Sequence, residues 1–153
     1  MMNNDVLRSV RYMLDLGEPR VVEIIALAGL DVAKADVHAF LLKEDEPGYR
    51  ECDGKTLAHF LDGLIVFRRG RDESRPTPEV VWPVSNNTIL KKLRVAFELK
   101  EDDLHAILAS VEFEVSKPEL SALFRKEGQK NYRPCGDQFL RNFLKGLTLR
   151  LRK

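Results

Sequence analysis

Cysteine and histidine supply the most obvious reactive groups of this 153-residue chain, which contains two cysteines and three histidines. Cys52 and Cys135 each end a Tyr-Arg-x-Cys motif just before a predicted helix, where a thiol with a lowered pKa can be reactive. Zinc binding would instead need four converging ligands, usually arranged in close pairs. No two of these five side chains form such a pair, and no histidine recurs beside either cysteine. We therefore interpret both cysteines as buried structural residues, and we predict no catalytic residue, metal or cofactor.

The Tyr-Arg-x-Cys motif belongs to a longer segment that occurs twice. Residues 3–70 align without gaps with residues 86–153 at a constant offset of 83, and 22 of the 68 pairs are identical. The sharpest matches are Lys43, Glu44, Tyr49, Arg50 and Cys52, which recur as Lys126, Glu127, Tyr132, Arg133 and Cys135. The sequence thus predicts two repeats joined by a linker over residues 71–85. A repeat of this size would bury little of its surface if it folded on its own, so we expect the two repeats to share part of a core.

Apolar spacing predicts four helices in each repeat. The fold is therefore expected to be all-α, with two tandem four-helix repeats, helix-turn-helix-like, related by an approximate twofold. The first helix spans about residues 4–16, and we expect Asn3 or Asn4 to cap it. Gly63 and Gly146 lie inside the last helix of each repeat, where glycine costs roughly 1 kcal/mol relative to alanine. Their recurrence predicts that another backbone passes close by.

The loop before each last helix carries a further set of predictions. We expect Arg50 to pair with Glu44, and Arg133 with Glu127, so that each pair fixes its loop. Asp53 is expected to cap the last helix of the first repeat, because its side-chain oxygen can accept an unpaired backbone N–H.

The net charge of the chain is +1, but the charged residues are distributed unevenly along it. Residues 3–70 carry nine basic and twelve acidic side chains, the linker carries two and three, and residues 86–153 carry fourteen and nine. The second repeat therefore has a net charge of +5 and can attract phosphates, although solvated helix ends are a simpler explanation.

Composition indicates an ordinary globular protein, with 44% hydrophobic and 32% charged residues. No stretch approaches the ~20 apolar residues of a membrane span, and the N-terminal sequence lacks a secretory signal pattern. We therefore predict a cytoplasmic protein with free thiols and no membrane partner.

The linker, with three prolines, is predicted to be extended and stiff. Its second half is too apolar to remain in water, and we expect it to pack along one repeat or across both. Trp82 in this segment is a candidate protein contact.

Longer motifs identify a family. An Asn-Asn-x-x-Leu pattern at residues 86–90 is followed by Glu-Leu-Ser-Ala-Leu-Phe-Arg-Lys at 119–126 and by Asn-Tyr-Arg-Pro-Cys-Gly-Asp-Gln-Phe-Leu-Arg-Asn-Phe-Leu at 131–144. This combination resembles the YehS-like bacterial proteins, which are built of two copies of the domain of unknown function 1456. The resemblance covers nearly the whole chain. It implies a small cytosolic bacterial protein and brings no known catalytic residue or ligand.

The second and third helices of each repeat resemble a helix-turn-helix of the phage-repressor type, whose third helix would enter the major groove. In the first repeat its outward residues would be Lys34, Ala35 and His38, but the surrounding carboxylates would repel phosphates. The second repeat is the better candidate. Its candidate nucleic-acid-binding residues are Lys117, Ser121, Arg125, Lys126, Lys130 and Arg133.

Three functional hypotheses follow from these observations. The first is a non-enzymatic, nucleic-acid-associated or regulatory module that binds DNA or RNA through the basic face of the second repeat. The alternative is a protein–protein interaction adaptor that uses the acidic loop of the first repeat, Glu44 to Glu46, or the apolar linker around Trp82. A thiol-based redox sensor at Cys52 or Cys135 ranks third.

Overall fold

The computed structural model describes residues 1–152. Within this range it contains eight α-helices and no strand, which confirms the predicted all-α fold with four helices in each repeat. The first repeat comprises α1 (Asn3–Leu14), α2 (Glu18–Leu27), α3 (Lys34–Leu41) and α4 (Gly54–Arg69). The second comprises α5 (Asn86–Ala96), α6 (Glu101–Ala109), α7 (Lys117–Leu123) and α8 (Asp137–Leu151).

Side-chain caps start several of these helices. Asp53 accepts a hydrogen bond from the Thr56 backbone N–H at 2.8 Å, as predicted for the start of α4. Ser116 accepts one from the Glu119 N–H at 3.2 Å at the start of α7. Each cap satisfies a donor that the helix itself leaves unpaired.

The predicted cap of α1 was wrong. Met2 is the N-cap residue, and its backbone N–H donates to the Asp5 carboxylate at 2.9 Å. Asn3 and Asn4 lie inside the helix instead, and their side chains bind a distant loop of the same repeat. A sequence signal typical of a helix start therefore reflects tertiary contacts.

A close helix crossing fixes each repeat internally. A Cβ atom on Gly63 in α4 would overlap the carbonyl oxygen of Ile24 in α2. A Cβ atom on Gly146 in α8 would likewise overlap the carbonyl oxygen of Ile107 in α6. The predicted close approach of a second backbone is thus confirmed in both repeats.

Contacts between the repeats are reciprocal. Helix α1 packs on α8, and its equivalent α5 packs on α4. Arg68 of α4 donates to the Ala96 carbonyl oxygen at 3.2 Å, and Arg152 after α8 donates to the Tyr12 carbonyl oxygen at 2.8 Å. Such an exchange of equivalent helices is the signature of an approximate twofold between the repeats.

One continuous hydrophobic core joins the two repeats, as expected for units of this size. The equivalent aromatic residues Phe60 and Phe143 are both fully buried within it. Within residues 1–152, no helix is both long enough and apolar enough to cross a membrane.

Candidate functional site

An asparagine at the start of each repeat holds the loop that carries the Tyr-Arg-x-Cys motif. The Asn4 amide donates to the carbonyl oxygens of Phe40 at 3.0 Å and Arg50 at 2.8 Å. Its side-chain oxygen accepts from the Cys52 backbone N–H at 2.8 Å. Asn3 adds a bond to the Cys52 carbonyl oxygen at 3.0 Å. We call this set of contacts the asparagine clamp.

The second repeat reproduces the clamp. The Asn87 amide donates to the carbonyl oxygens of Leu123 and Arg133, both at 2.9 Å, and its oxygen accepts from the Cys135 N–H at 2.8 Å. Asn86 binds the Cys135 carbonyl oxygen at 3.1 Å. These bonds pair backbone groups of the most strongly repeated residues inside the fold. The Tyr-Arg-x-Cys motif is therefore a structural element.

Both cysteines lie behind this clamp and are buried, as predicted. Burial, assisted by the Asp53 carboxylate, raises the pKa of the Cys52 thiol to about 12. Burial, assisted by Asp137, raises the pKa of Cys135 to about 11. A reactive thiol needs a lowered pKa and access to solvent, so this environment argues against the redox-sensor hypothesis.

The arginines of the motif pair with carboxylates other than the predicted ones. Arg50 binds Asp36 at 2.5 Å, and Arg133 lies 3.7 Å from Glu119. The predicted partners Glu44 and Glu127 belong to the loop itself. The partners found instead are equivalent residues of α3 and α7, because the clamp folds the loop back across those helices.

The histidines do not converge on a metal site. The Nδ1 atom of His59 lies 2.7 Å from the Lys55 carbonyl oxygen, and that of His38 lies 2.6 Å from the Glu18 carboxylate. His105 has a buried Nε2 atom without a hydrogen-bond partner. Within residues 1–152, no three metal-ligating side chains form a group.

Trp82 packs on its own chain, as expected for part of the linker. Its ring centroid lies 5.6 Å from that of His59, and the Lys55 ammonium lies 5.6 Å from the same ring. The side chain nevertheless stays 46% exposed, and the adjacent Val81 is 71% exposed. The linker thus covers the start of α4 and leaves a small apolar edge in solvent.

The candidate nucleic-acid-binding residues all lie on one segment, from the start of α7 to the loop before α8. All six are exposed. We call them the basic edge, which consists of Lys117, Ser121, Arg125, Lys126, Lys130 and Arg133. Within residues 1–152, only Arg133 among its five cations forms an ion pair.

The basic edge has a fixed backbone. The Gln129 side chain accepts from the Lys126 N–H at 2.9 Å. The Arg133 N–H donates to the Ala122 carbonyl oxygen at 3.2 Å, while Asn87 holds the Arg133 carbonyl oxygen. The Arg133 end of the loop is therefore anchored to α7 and α5, and the Gln129 contact stabilises the turn after Lys126.

Charge distinguishes this edge from its equivalent in the first repeat. Residues 117–133 carry five basic and two acidic side chains, a net charge of +3. The equivalent residues 34–50 carry three basic and four acidic side chains, a net charge of −1. The same scaffold thus presents opposite charge in the two repeats.

A second cluster of cations was not predicted from the sequence. Arg8 and Arg11 of α1 line one depression, and Arg141 and Lys145 of α8 line an adjoining one. Only the packing of α1 on α8 brings these residues together. The sequence does show that Lys145 stands at the position equivalent to Asp62 of the first repeat. The effect of this exchange can be interpreted only when the packing of α1 on α8 is known.

The comparisons with known proteins agree with the architecture. A model of the family described as a protein of unknown function, DUF1456, matches residues 3–70 and again residues 86–153. The chain belongs to this family. The uncharacterized protein YehS of Escherichia coli strain K12 is 48% identical over 150 residues, which cover 98% of this chain and 96% of that protein. No solved structure shows a significant match.

Proposed function

We propose that this DUF1456 protein is a non-enzymatic, nucleic-acid-binding module that contacts DNA or RNA through the basic edge of the second repeat. The observation that carries the proposal is the exposure of five cations on one anchored segment, four of them without an ion-pair partner within residues 1–152.

Phosphate binding is the chemistry that this arrangement favours. Neutralising phosphates with lysine and arginine releases condensed counterions, and this supplies most of the affinity of sequence-independent binding. Cations already paired with carboxylates contribute less, because those pairs must be broken first. Lys117, Arg125, Lys126 and Lys130 form no such pair within residues 1–152, so no ion pair has to be broken when they bind a phosphate.

The anchored loop supports the same function. Lys126 and Arg133 are held through their backbone groups by Gln129 and Asn87, so binding orders side chains and leaves the backbone unchanged. A surface that is already ordered loses less conformational entropy when a ligand binds. The serine in this edge, Ser121, adds a neutral donor for a phosphate oxygen.

A titration with matched variants tests the proposal. Fluorescence anisotropy would measure binding of random-sequence duplex DNA and of a structured RNA at several salt concentrations. Lys117→Glu/Lys126→Glu alters the basic edge, while Lys34→Glu/Lys43→Glu makes the same change at the equivalent exposed positions of the first repeat. The two variants have equal net charge, so any difference between their binding affinities is due to the position of the substituted lysines.

We expect the native chain to bind with an affinity that falls steeply as salt rises. The edge variant should bind at least about tenfold more weakly, and its salt slope should fall by about one for each lost lysine contact. The control variant should bind like the native chain. Absence of binding at low salt, or equal losses in both variants, would reject the proposal and favour the adaptor alternative around Trp82.

A further inference from the structure

The junction of α1 and α8 forms a concave surface that the proposed nucleic-acid site does not use. Two adjoining depressions, of about 620 and 340 Å³, share Asp5, Ser9 and Thr148 in their walls. We call the pair the α1–α8 groove. Its larger half falls within the ~300–1,000 Å³ typical of small-molecule sites.

Four cations line this groove. Arg8 and Arg11 come from the first repeat, and Arg141 and Lys145 come from the second. None of the four forms an ion pair within residues 1–152. Asp5 and Glu18 also line the groove, so its side chains carry a net charge of +2 and give this concave surface a positive potential.

The carboxylates and the histidine of the groove already have partners. Asp5 accepts the Met2 backbone N–H at 2.9 Å as part of the cap of α1. Glu18 lies 2.6 Å from the Nδ1 atom of His38. These contacts orient the two carboxylates but do not neutralise Asp5. The arginines and the lysine form no ion pair within residues 1–152 and can contact a ligand.

The equivalent junction in the other half of the molecule contains an ion pair that the α1–α8 groove lacks. Between α5 and α4, Lys92 binds Asp62 at 2.7 Å, and both side chains are largely shielded from solvent. The equivalent residues of the α1–α8 groove are Ser9 and Lys145. A hydroxyl group and a cation therefore stand where the other junction has an ion pair.

We propose that the α1–α8 groove binds a small anion that carries at least two phosphate groups. Arg141 and Lys145 contact the phosphates from α8, Arg8 and Arg11 contact them from α1, and the Ser9 hydroxyl donates a hydrogen bond. Tyr12, at the border of the groove, has the Arg152 guanidinium 4.3 Å from its ring centroid. The ring is still 53% exposed and offers its remaining aromatic surface to an organic group attached to the phosphates. Charge-assisted hydrogen bonds to several phosphate oxygens are strong enough to anchor such a ligand.

Calorimetric titration of the full chain with tripolyphosphate and with a nucleoside triphosphate tests this proposal. Arg141→Glu/Lys145→Glu alters two exposed residues of the groove. Arg71→Glu/Arg75→Glu, at two exposed residues of the linker that belong to neither proposed surface, is the control with the same change in net charge. Arg11→Glu, on the other wall, is a second groove variant that is independent of α8. Circular dichroism of every variant establishes that it is folded.

We expect saturable binding by the native chain and a dissociation constant raised at least about tenfold in both groove variants, because each reverses charge against the phosphates. The linker control, Arg71→Glu/Arg75→Glu, should keep native affinity. Tighter binding of the nucleoside triphosphate than of tripolyphosphate would identify a nucleotide as the ligand class, and equal affinities would identify the phosphate chain alone.

Three outcomes would overturn the proposal: no binding of either probe, unchanged affinity in folded groove variants, or an equal loss in the linker control. The groove and the basic edge are altered by different substitutions. Failure of polyphosphate binding therefore leaves the nucleic-acid proposal to its own experiment.

Discussion

At the scale of single residues, the asparagine clamp explains why a few side chains recur so strictly between the repeats. Asn4 and Asn87 are buried, and each makes two hydrogen bonds to backbone groups of the loop before the last helix and one to a carbonyl oxygen at the end of the third helix of its repeat. Those groups would otherwise be buried without partners, which costs more than the bonds themselves contribute.

Asn4→Ala should therefore lower the free energy of unfolding by about 3 kcal/mol, at about 1 kcal/mol for each lost bond. Asn3→Ala, which removes a single bond to the Cys52 carbonyl oxygen, should cost about 1 kcal/mol. Urea denaturation of the two variants provides the measurement, with the slope m checked to be constant. Equal effects of the two substitutions would contradict this account of the clamp.

At the scale of helices, the crossing of α2 over α4 and of α6 over α8 decides the shape of each repeat. Both crossings need a residue without a side chain, and Gly63 and Gly146 supply it. Helix α3 packs on α2 and α1 in the first repeat. The outer surfaces of α3 and its equivalent α7 differ in charge although the two repeats share the same order of helices.

Gly63→Ala should destabilise the protein by about 3 kcal/mol, because the added Cβ overlaps backbone of α2 and the helices must separate. The helix propensity of alanine would offset only about 1 kcal/mol of this loss. Gly54→Ala is the control, since a Cβ there meets its nearest neighbour, the Pro83 Cα, at an ordinary 3.6 Å. Thermal and chemical unfolding should show a lowered midpoint for Gly63→Ala alone, and an unchanged midpoint there would disprove the tight crossing.

At the scale of the whole molecule, the two repeats hold each other together. The first helix of each repeat packs on the last helix of the other, so that separating the repeats would expose both helices. The two junctions are structurally equivalent but differ in chemistry. One contains the α1–α8 groove, and the other contains the ion pair between Lys92 and Asp62.

A chain carrying a specific protease site after Ser74, in the exposed linker, tests this organisation. After cleavage, we expect the two fragments to co-elute in gel filtration and to unfold in a single transition, because the shared core is non-covalent and extends across both repeats. The uncleaved variant is the control. Separate elution of the fragments, or two distinct unfolding transitions, would show that each repeat folds independently.

Much of this architecture was predictable because local patterns carry it. Apolar spacing predicted four helices in each repeat, and the recurrence of Gly63 predicted a close backbone. Patterns that depend on a distant partner were misread. Asn4 resembled a helix cap, and Arg50 was assigned to its neighbour Glu44, because sequence proximity was the only available guide to partners.

The sequence by itself determined the duplication, the helical fold, the burial of Cys52 and Cys135 and the excess of positive charge in the second repeat. These properties follow from residue type and periodicity, which the chain carries locally. Only the tertiary structure decided that Asn4 and Asn87 hold their loops and that Arg8 and Lys145 line adjoining depressions of one groove. The reason is physical: α1 packs on a helix more than 120 residues away, and this pairing is set by the fit of whole helix surfaces and not by any local motif.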